Sequence, residues 1–233
     1  MANQLSIYLF GGNSKIGNSI LNGVIDRYSD YSIRTVLIKR TKQKKATNNE
    51  VLIVNNYSEA LDVLNVKKDV INIFILSFGV LRPEDKNIKF VDNLKFHLSI
   101  NTYETFHIVK KIIMSENYEE LHIVSSILAD FERPTLKSYS MSKMYMNELV
   151  EKLISSKNKE KVFIWKPAFV DSNLNKGRTS SFLKTNSGEI RKYIVKNKIG
   201  GTHYIPFYSR YLTFLAKKIS FVTNFIDKKS DNY

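Results

Sequence analysis

Leu5-Ser6-Ile7-Tyr8-Leu9-Phe10-Gly11-Gly12-Asn13-Ser14-Lys15-Ile16-Gly17 runs from a short apolar stretch, through a glycine turn, into a helical pattern. Leu5 to Phe10 reads as a buried strand, and Ile16, Ile20, Leu21, Val24 and Ile25 follow the spacing of one helix face. Glycines between a strand and a helix let the backbone turn tightly and approach a pyrophosphate, whose charge then rests on the helix N-terminus. Gly11, Asn13, Ser14, Lys15, Ile16 and Gly17 are therefore candidate nucleotide-binding residues, and Gly17 also permits close helix–strand packing. Lys15 stands where many dinucleotide turns have a glycine, and its ammonium faces either a phosphate or solvent. A glycine turn also suits a plain structural bend, but its place in a strand–helix unit favours the nucleotide.

The alternation continues outward. Thr35 to Ile38, Val51 to Val54, Val70 to Leu76, Leu121 to Val124 and Val162 to Trp165 read as further strands, the last ended by Pro167. Helical patterns cover Ser58 to Leu64, Phe90 to Ser115 and Ser140 to Ser155. Uniformly apolar strands separated by helices predict a parallel sheet covered on both faces. The expected fold is a single-domain, Rossmann-like, doubly wound α/β/α sandwich over residues 1–200, followed by an amphipathic aromatic and basic tail over residues 201–233.

Composition narrows the classes. The 233 residues include 36 basic and 22 acidic side chains, for a net charge of +14, and 43% are hydrophobic, enough for a full core. The absence of cysteine excludes disulfides, thiolate metal sites and a cysteine nucleophile. Lysine far outnumbers arginine, which argues for solvated surface over a nucleic-acid groove and leaves attraction to an anionic membrane or phosphorylated substrate open. No secretory leader and no membrane-spanning run is visible, so a cytoplasmic protein is expected. His97, His107, His122 and His203 show no metal-ligand spacing, and Trp165 reads as core.

Cofactor choice is read after the second strand, where an acid would meet a ribose hydroxyl and a base a 2′-phosphate. Arg40 and Thr41 stand there without an acid, favouring NADP(H) over NAD(H), the alternative being one more surface charge. Ser138-Tyr139-Ser140-Met141-Ser142-Lys143 places Tyr139 and Lys143 four apart, on one helix face. An ammonium beside a phenol stabilises the phenolate and lowers its pKa, as a proton donor in carbonyl reduction requires. Ser126 lies just past a strand end, where doubly wound sheets bind ligands, and its hydroxyl could hold a substrate carbonyl. Asn101 interrupts the apolar face of the long helix, either as a helix-end or solvent-facing amide or as a proton relay.

In this order, from the glycine turn through Asn101, Ser126, Tyr139 and Lys143, the residues resemble the short-chain dehydrogenase/reductase family over about Leu5 to Ser172. The resemblance implies an NAD(P)-dependent oxidoreductase in which Tyr139 and Lys143 also contact the cofactor. Pro167, Val170 and Ser172 match the family's stretch facing the nicotinamide carboxamide and phosphates, and Ser77, Phe78 and Gly79 match its segment after the fourth strand. There only the glycine of the usual Asn-Asn-Ala-Gly is kept, and Ala168 replaces the glycine after Pro167. Within the family the chain is similar to the reductase half of the decaprenylphosphoryl-ribose 2-epimerase system and its polysaccharide-cluster relatives. That likeness implies reduction of a keto-sugar on a polyprenyl phosphate made by a partner flavin oxidase, in a homo-oligomer with peripheral contact to the membrane. A soluble nucleotide-linked keto-sugar, a 3-oxoacyl thioester, or a non-catalytic nucleotide-binding scaffold are the alternatives.

In the tail, Leu212, Leu215, Ile219, Val222 and Ile226 follow helical spacing, with Thr213, Lys217 and Lys218 elsewhere. Such a basic, aromatic helix suits a bilayer interface, or equally a cover for the sheet or a second subunit.

Overall fold

The computed structural model describes residues 4–40, 50–170 and 184–218. The opening strand β1 (Gln4–Phe10) alternates its side chains between two cores. Tyr8 and Phe10 point to one face and Leu5, Ile7 and Leu9 to the other, and all five are buried. Helix α1 (Lys15–Arg27) follows, started by the Ser14 side chain, then β2 (Ser32–Lys39), β3 (Glu50–Ile53), α2 (Tyr57–Val63) and β4 (Ile71–Leu76). The second half runs α3 (Phe90–His97), a π-helical segment Leu98–Glu104, α4 (Thr105–Ser115), β5 (Glu120–Val124), α5 (Lys137–Leu153) and β6 (Val162–Pro167). It ends with β7 (Phe169–Val170), β8 (Lys184–Thr185), α6 (Ser187–Lys196), β9 (Gly201–Ile205) and α7 (Ser209–Lys218).

Seven strands form one parallel sheet in the order β3-β2-β1-β4-β5-β6-β9, and β7 pairs with β8 alone. Helices α2, α4 and α5 cover one face through Ala60, Ile108, Val109, Ile112, Met146 and Val150, while α1 and α6 cover the other through Ile20, Leu21, Val24, Ile190 and Ile194. The chain winds outward from β1 to β3, then returns to build β4, β5, β6 and β9 on the other side. The strand order therefore reverses between β1 and β4, which opens a crevice at their carboxyl ends.

Four expectations need revision. The long helix from Phe90 to Ser115 is continuous but changes hydrogen-bonding pattern over Leu98–Glu104, the turn in which the buried Asn101 side chain bonds outside the helix. The helix expected from Ser140 begins at Lys137, placing Tyr139 in its first turn. Gly201–Ile205, assigned to the tail, is the seventh strand of the sheet, where it pairs with β6 and stacks His203 on Trp165 at 4.7 Å. In α7, Leu215 is exposed and Thr213 buried, the reverse of the expected stripe. The Thr213 hydroxyl donates to Arg210 O at 2.8 Å, which lets that side chain face inward beside Leu212 and Ala216. Ile219, Val222 and Ile226 lie outside the described residues.

Candidate active site

Gly11 adopts φ +85°, and a Cβ there would stand 2.6 Å from the Ser77 carbonyl oxygen, so only glycine fits. A Cβ on Gly17 would meet the Ser77 Cβ at 2.7 Å and Leu9 Cδ1 at 2.9 Å, which is the close helix–strand packing anticipated for it. Ser14 caps α1 by accepting from Gly17 N at 3.1 Å, and its hydroxyl bonds the Ser77 hydroxyl at 2.8 Å. The result is a cleft of about 220 Å³ lined by Gly11, Ser14, Lys15, Arg40, Tyr57 and Phe78, with Asn13, Ile16, Ser77 and Gly79 completing it.

Tyr57 is the lining residue that the sequence does not announce. Its ring stacks on Phe78 at 4.3 Å, and the Arg40 guanidinium lies 5.1 Å from its centre. The stack accounts for Phe78, a bulky departure at this point of the chain, by giving it an aromatic partner. Burial pushes the Tyr57 phenol up, and nearby Arg40 offsets this in part. Lys15 is exposed at the rim. Pro167 and Val170 stand at the end of β6 and in β7, outside the cleft lining, while Thr41 and Ser172 lie outside the described residues.

Across Gly79 the cleft meets the second group of side chains. Lys143 sits one turn beyond Tyr139 on α5 and is 4% exposed, with its Nζ donating to Val124 O at 3.2 Å. Burial pulls its ammonium down to about 8. A Cβ on Gly79 would come within 2.9 Å of Asn101 Oδ1 and 3.7 Å of Lys143 Nζ, so this glycine lets the backbone pass between them. The half-buried Tyr139 ring meets the His97 ring edge-on at 6.0 Å. Ser126 is 6% exposed in extended backbone just past β5, and its hydroxyl accepts from Leu128 N at 3.2 Å.

Asn101 is fully buried in the π-helical turn rather than at a helix end or in solvent. Its Oδ1 accepts from Val80 N at 2.9 Å, and its two amide protons go to Val80 O at 2.9 Å and Ser142 Oγ at 3.1 Å. Ser142 in turn donates to Tyr139 O at 2.7 Å, so the amide ties the loop after β4 to the helix carrying Tyr139 and Lys143. With both protons committed, the Asn101 side chain acts first as an anchor. Among the described residues no group of three His, Asp or Glu could hold a metal ion.

No protein-family model and no curated protein sequence matches the chain. Solved structures do. A short-chain dehydrogenase from Burkholderia cenocepacia in complex with NADP is 15% identical, with a TM-score of 0.75 over 97% of this chain and 98% of that one. A gluconate 5-dehydrogenase from the same organism, bound to NADP and tartrate, is 12% identical, with a TM-score of 0.71 over 91% of this chain and 96% of the other. A 3-oxoacyl (acyl-carrier-protein) reductase from Agrobacterium tumefaciens with NADP bound is 13% identical, at a TM-score of 0.64 over 87% and 93%. The seven-stranded α/β sandwich of this chain is the Rossmann-like fold of the short-chain dehydrogenases.

Proposed function

We propose that the chain is an NADPH-dependent ketoreductase of the short-chain dehydrogenase type. The observation that carries this reading is Lys143, a buried cation with no carboxylate beside it among the described residues, one helical turn from Tyr139 at the edge of a glycine-lined cleft. The cleft fits the cofactor. Gly11 and Gly17 keep its floor free of side chains, and the first-turn N–H groups of Lys15 and Ile16 lack intrahelical acceptors and would take the pyrophosphate. Arg40, with Thr41, would pair with the 2′-phosphate, and Tyr57 and Phe78 would offer an aromatic wall to the base. Val170 and Ser172, after Pro167, would meet the nicotinamide end. When bound, the cofactor supplies the two electrons and one hydrogen of the reduction.

The remaining work falls to the chain. Ser126 holds the substrate carbonyl and Tyr139 gives the proton to the alkoxide as it develops. Lys143, an ammonium below its value of about 8, stabilises the phenolate left behind. Asn101 fixes both through Ser142 and Val80.

The proposed substrate is a keto-sugar, in the reductive half of an epimerisation in cell-surface polysaccharide synthesis, with a flavin oxidase supplying the ketone. A gluconate 5-dehydrogenase among the similar structures supports a sugar. Helix α7 supports a polyprenyl-phosphate carrier and a place on the inner membrane surface. It packs by Ala216 and Leu212 on Ile127, just past Ser126, and turns Tyr211, Phe214 and Leu215 outward beside Lys218. No described helix is long and apolar enough to cross a membrane. Turnover of NADPH with polyprenyl-linked keto-sugars on anionic vesicles, set against nucleotide-linked keto-sugars in solution, separates the two substrate classes. Tyr139→Phe tests the chemistry: NADPH still binds, and turnover falls by roughly a thousandfold. Turnover near that of the unaltered protein would overturn the assignment.

A further inference from the structure

Asn93, His97 and Asn101 stand at i, i+4 and i+8 along the helical segment that enters the π-turn, and each is 0% exposed. Buried polar side chains on a helix need partners, and all three find them in the loop after β4. Asn101 bonds both backbone groups of Val80. His97 accepts from Arg82 N at 3.0 Å through Nε2, while its Nδ1–H donates to Asn93 O at 2.9 Å. Asn93 Oδ1 accepts from Arg82 Nε at 2.7 Å, and its amide donates to Pro83 O at 3.3 Å and Glu84 Oε2 at 3.1 Å.

Glu84 is where this ladder reaches the helix of Tyr139. Helix α5 has no side-chain cap of its own: Leu136 occupies the cap position and cannot accept a hydrogen bond. The missing acceptor arrives from the distant loop, since Glu84 Oε1 takes the Ser138 N–H at 2.6 Å. Glu84 N donates to Thr135 O at 3.0 Å, which closes a second link to the same helix start. Burial raises the Glu84 carboxyl, but the Ser138 and Asn93 bonds outweigh it and hold the group below the usual carboxylate range. On the other side of the same turn, His97 meets the Tyr139 ring.

We propose that Glu84 is a positioning residue for Tyr139, capping α5 from a distance and, through Asn93, setting the first turn of that helix against the loop after β4. The proposal rests on the reading of Tyr139 as proton donor. A side chain bonded to the backbone one residue before Tyr139 then controls where the phenol stands, and a displacement of about 1 Å costs turnover heavily without weakening the cofactor.

The test uses the full chain. In Glu84→Ala, amide exchange in the 137–143 segment should quicken about tenfold, and kcat with NADPH and any ketone the unaltered protein reduces should fall about tenfold. The KM for NADPH should stay within about twofold, because the cleft is untouched. Glu84→Gln keeps an oxygen for the Ser138 N–H but sets its amide donor against that of Asn93, and should fall between Glu84→Ala and the unaltered protein. Adding Asn93→Asp to Glu84→Gln restores a donor–acceptor pair between the two side chains while giving up the bond to Pro83 O, and should recover part of the kcat and exchange protection lost in Glu84→Gln, a rescue that general loosening would not show. Unchanged exchange in Glu84→Ala, kcat within twofold, or loss shared equally by kcat and KM and not rescued would each overturn the proposal. Normal turnover in Tyr139→Phe would instead sink the functional reading, and the exchange data would still decide whether Glu84 caps the helix.

Discussion

The two ends of β5 handle buried charge in opposite ways. At its start, Glu120 accepts from Arg27 Nη2, from Tyr28 at 2.9 Å and from His122 Nε2–H at 2.8 Å. His122 Nδ1 accepts from Trp165 Nε1 at 3.0 Å, so the imidazole is neutral, consistent with burial lowering its pKa. Arg27 Nη1 reaches Asn197 O at 2.9 Å, and only Arg27 Nε in the cluster lacks an acceptor among the described residues. At the far end, beyond Val124, Lys143 is as deeply buried and, among the described residues, has one backbone carbonyl and no carboxylate. A buried charge with a nearly closed set of partners holds structure together, whereas one left open at a cleft is available for chemistry.

Replacing the open charge gives the largest expected effect and separates activity from stability. Lys143→Met should lower turnover by roughly a thousandfold, because the phenolate of Tyr139 loses its counter-charge. The same change relieves a desolvated ammonium and orphans one carbonyl, so unfolding in urea should show a gain of about 1 kcal/mol at pH 7. A group whose folded pKa of about 8 lies below its ordinary 10.5 destabilises the native state while protonated, so the unaltered protein should gain stability as pH climbs from about 8 towards 10.5. Lys143→Met should abolish that rise. Loss of stability together with activity would make Lys143 a structural cation.

At the closed end the pattern should invert. Glu120→Gln strands Arg27 in the interior and should cost about 3 kcal/mol of stability, with kcat of the folded fraction unchanged. Burial raises the Glu120 carboxyl, but His122 and Arg27 more than compensate and hold it below its usual range. Its contribution is therefore present at neutral pH and lost as pH falls through that lowered value, so the variant should also show a flatter acid limb in its stability profile. A stability change under about 0.5 kcal/mol would place Glu120 among ordinary surface groups and dissolve the contrast.

The same two ends explain what the sequence made legible. Parallel strands covered on both faces read as unbroken apolar runs, so β1, β2, β4, β5 and β6 stood out, and the glycine turn was fixed by steric demands local to it. Tyr139 and Lys143 were readable because one helical turn relates them. Strand β9 was hidden because Gly201-Thr202-His203-Tyr204-Ile205 is polar at an edge, and its packing on Trp165 is long-range. The π-helical segment shifts the helical register at the turn where Asn101 bonds a loop brought in from β4. Asn93 and His97 look like a solvated helix face until that loop covers them, and Tyr57 lines the cleft only because Phe78 stacks against it.

Arg40 provides the smallest effect and the finest test of the cleft. It is exposed, and its contact with the Tyr57 ring, at 5.1 Å, contributes only about 0.5 kcal/mol at such a site. Arg40→Ala should therefore leave thermal unfolding nearly unchanged. A charge-assisted pair with a 2′-phosphate is stronger, so fluorescence titration should show NADPH binding about tenfold weaker and NADH binding as before. Equal weakening for both nucleotides would mean that Arg40 acts by steadying the Tyr57–Phe78 wall against the base they share. Its role would then be packing, as at the closed end of β5, and the choice between cofactors would pass to Lys15, the other cation lining the cleft.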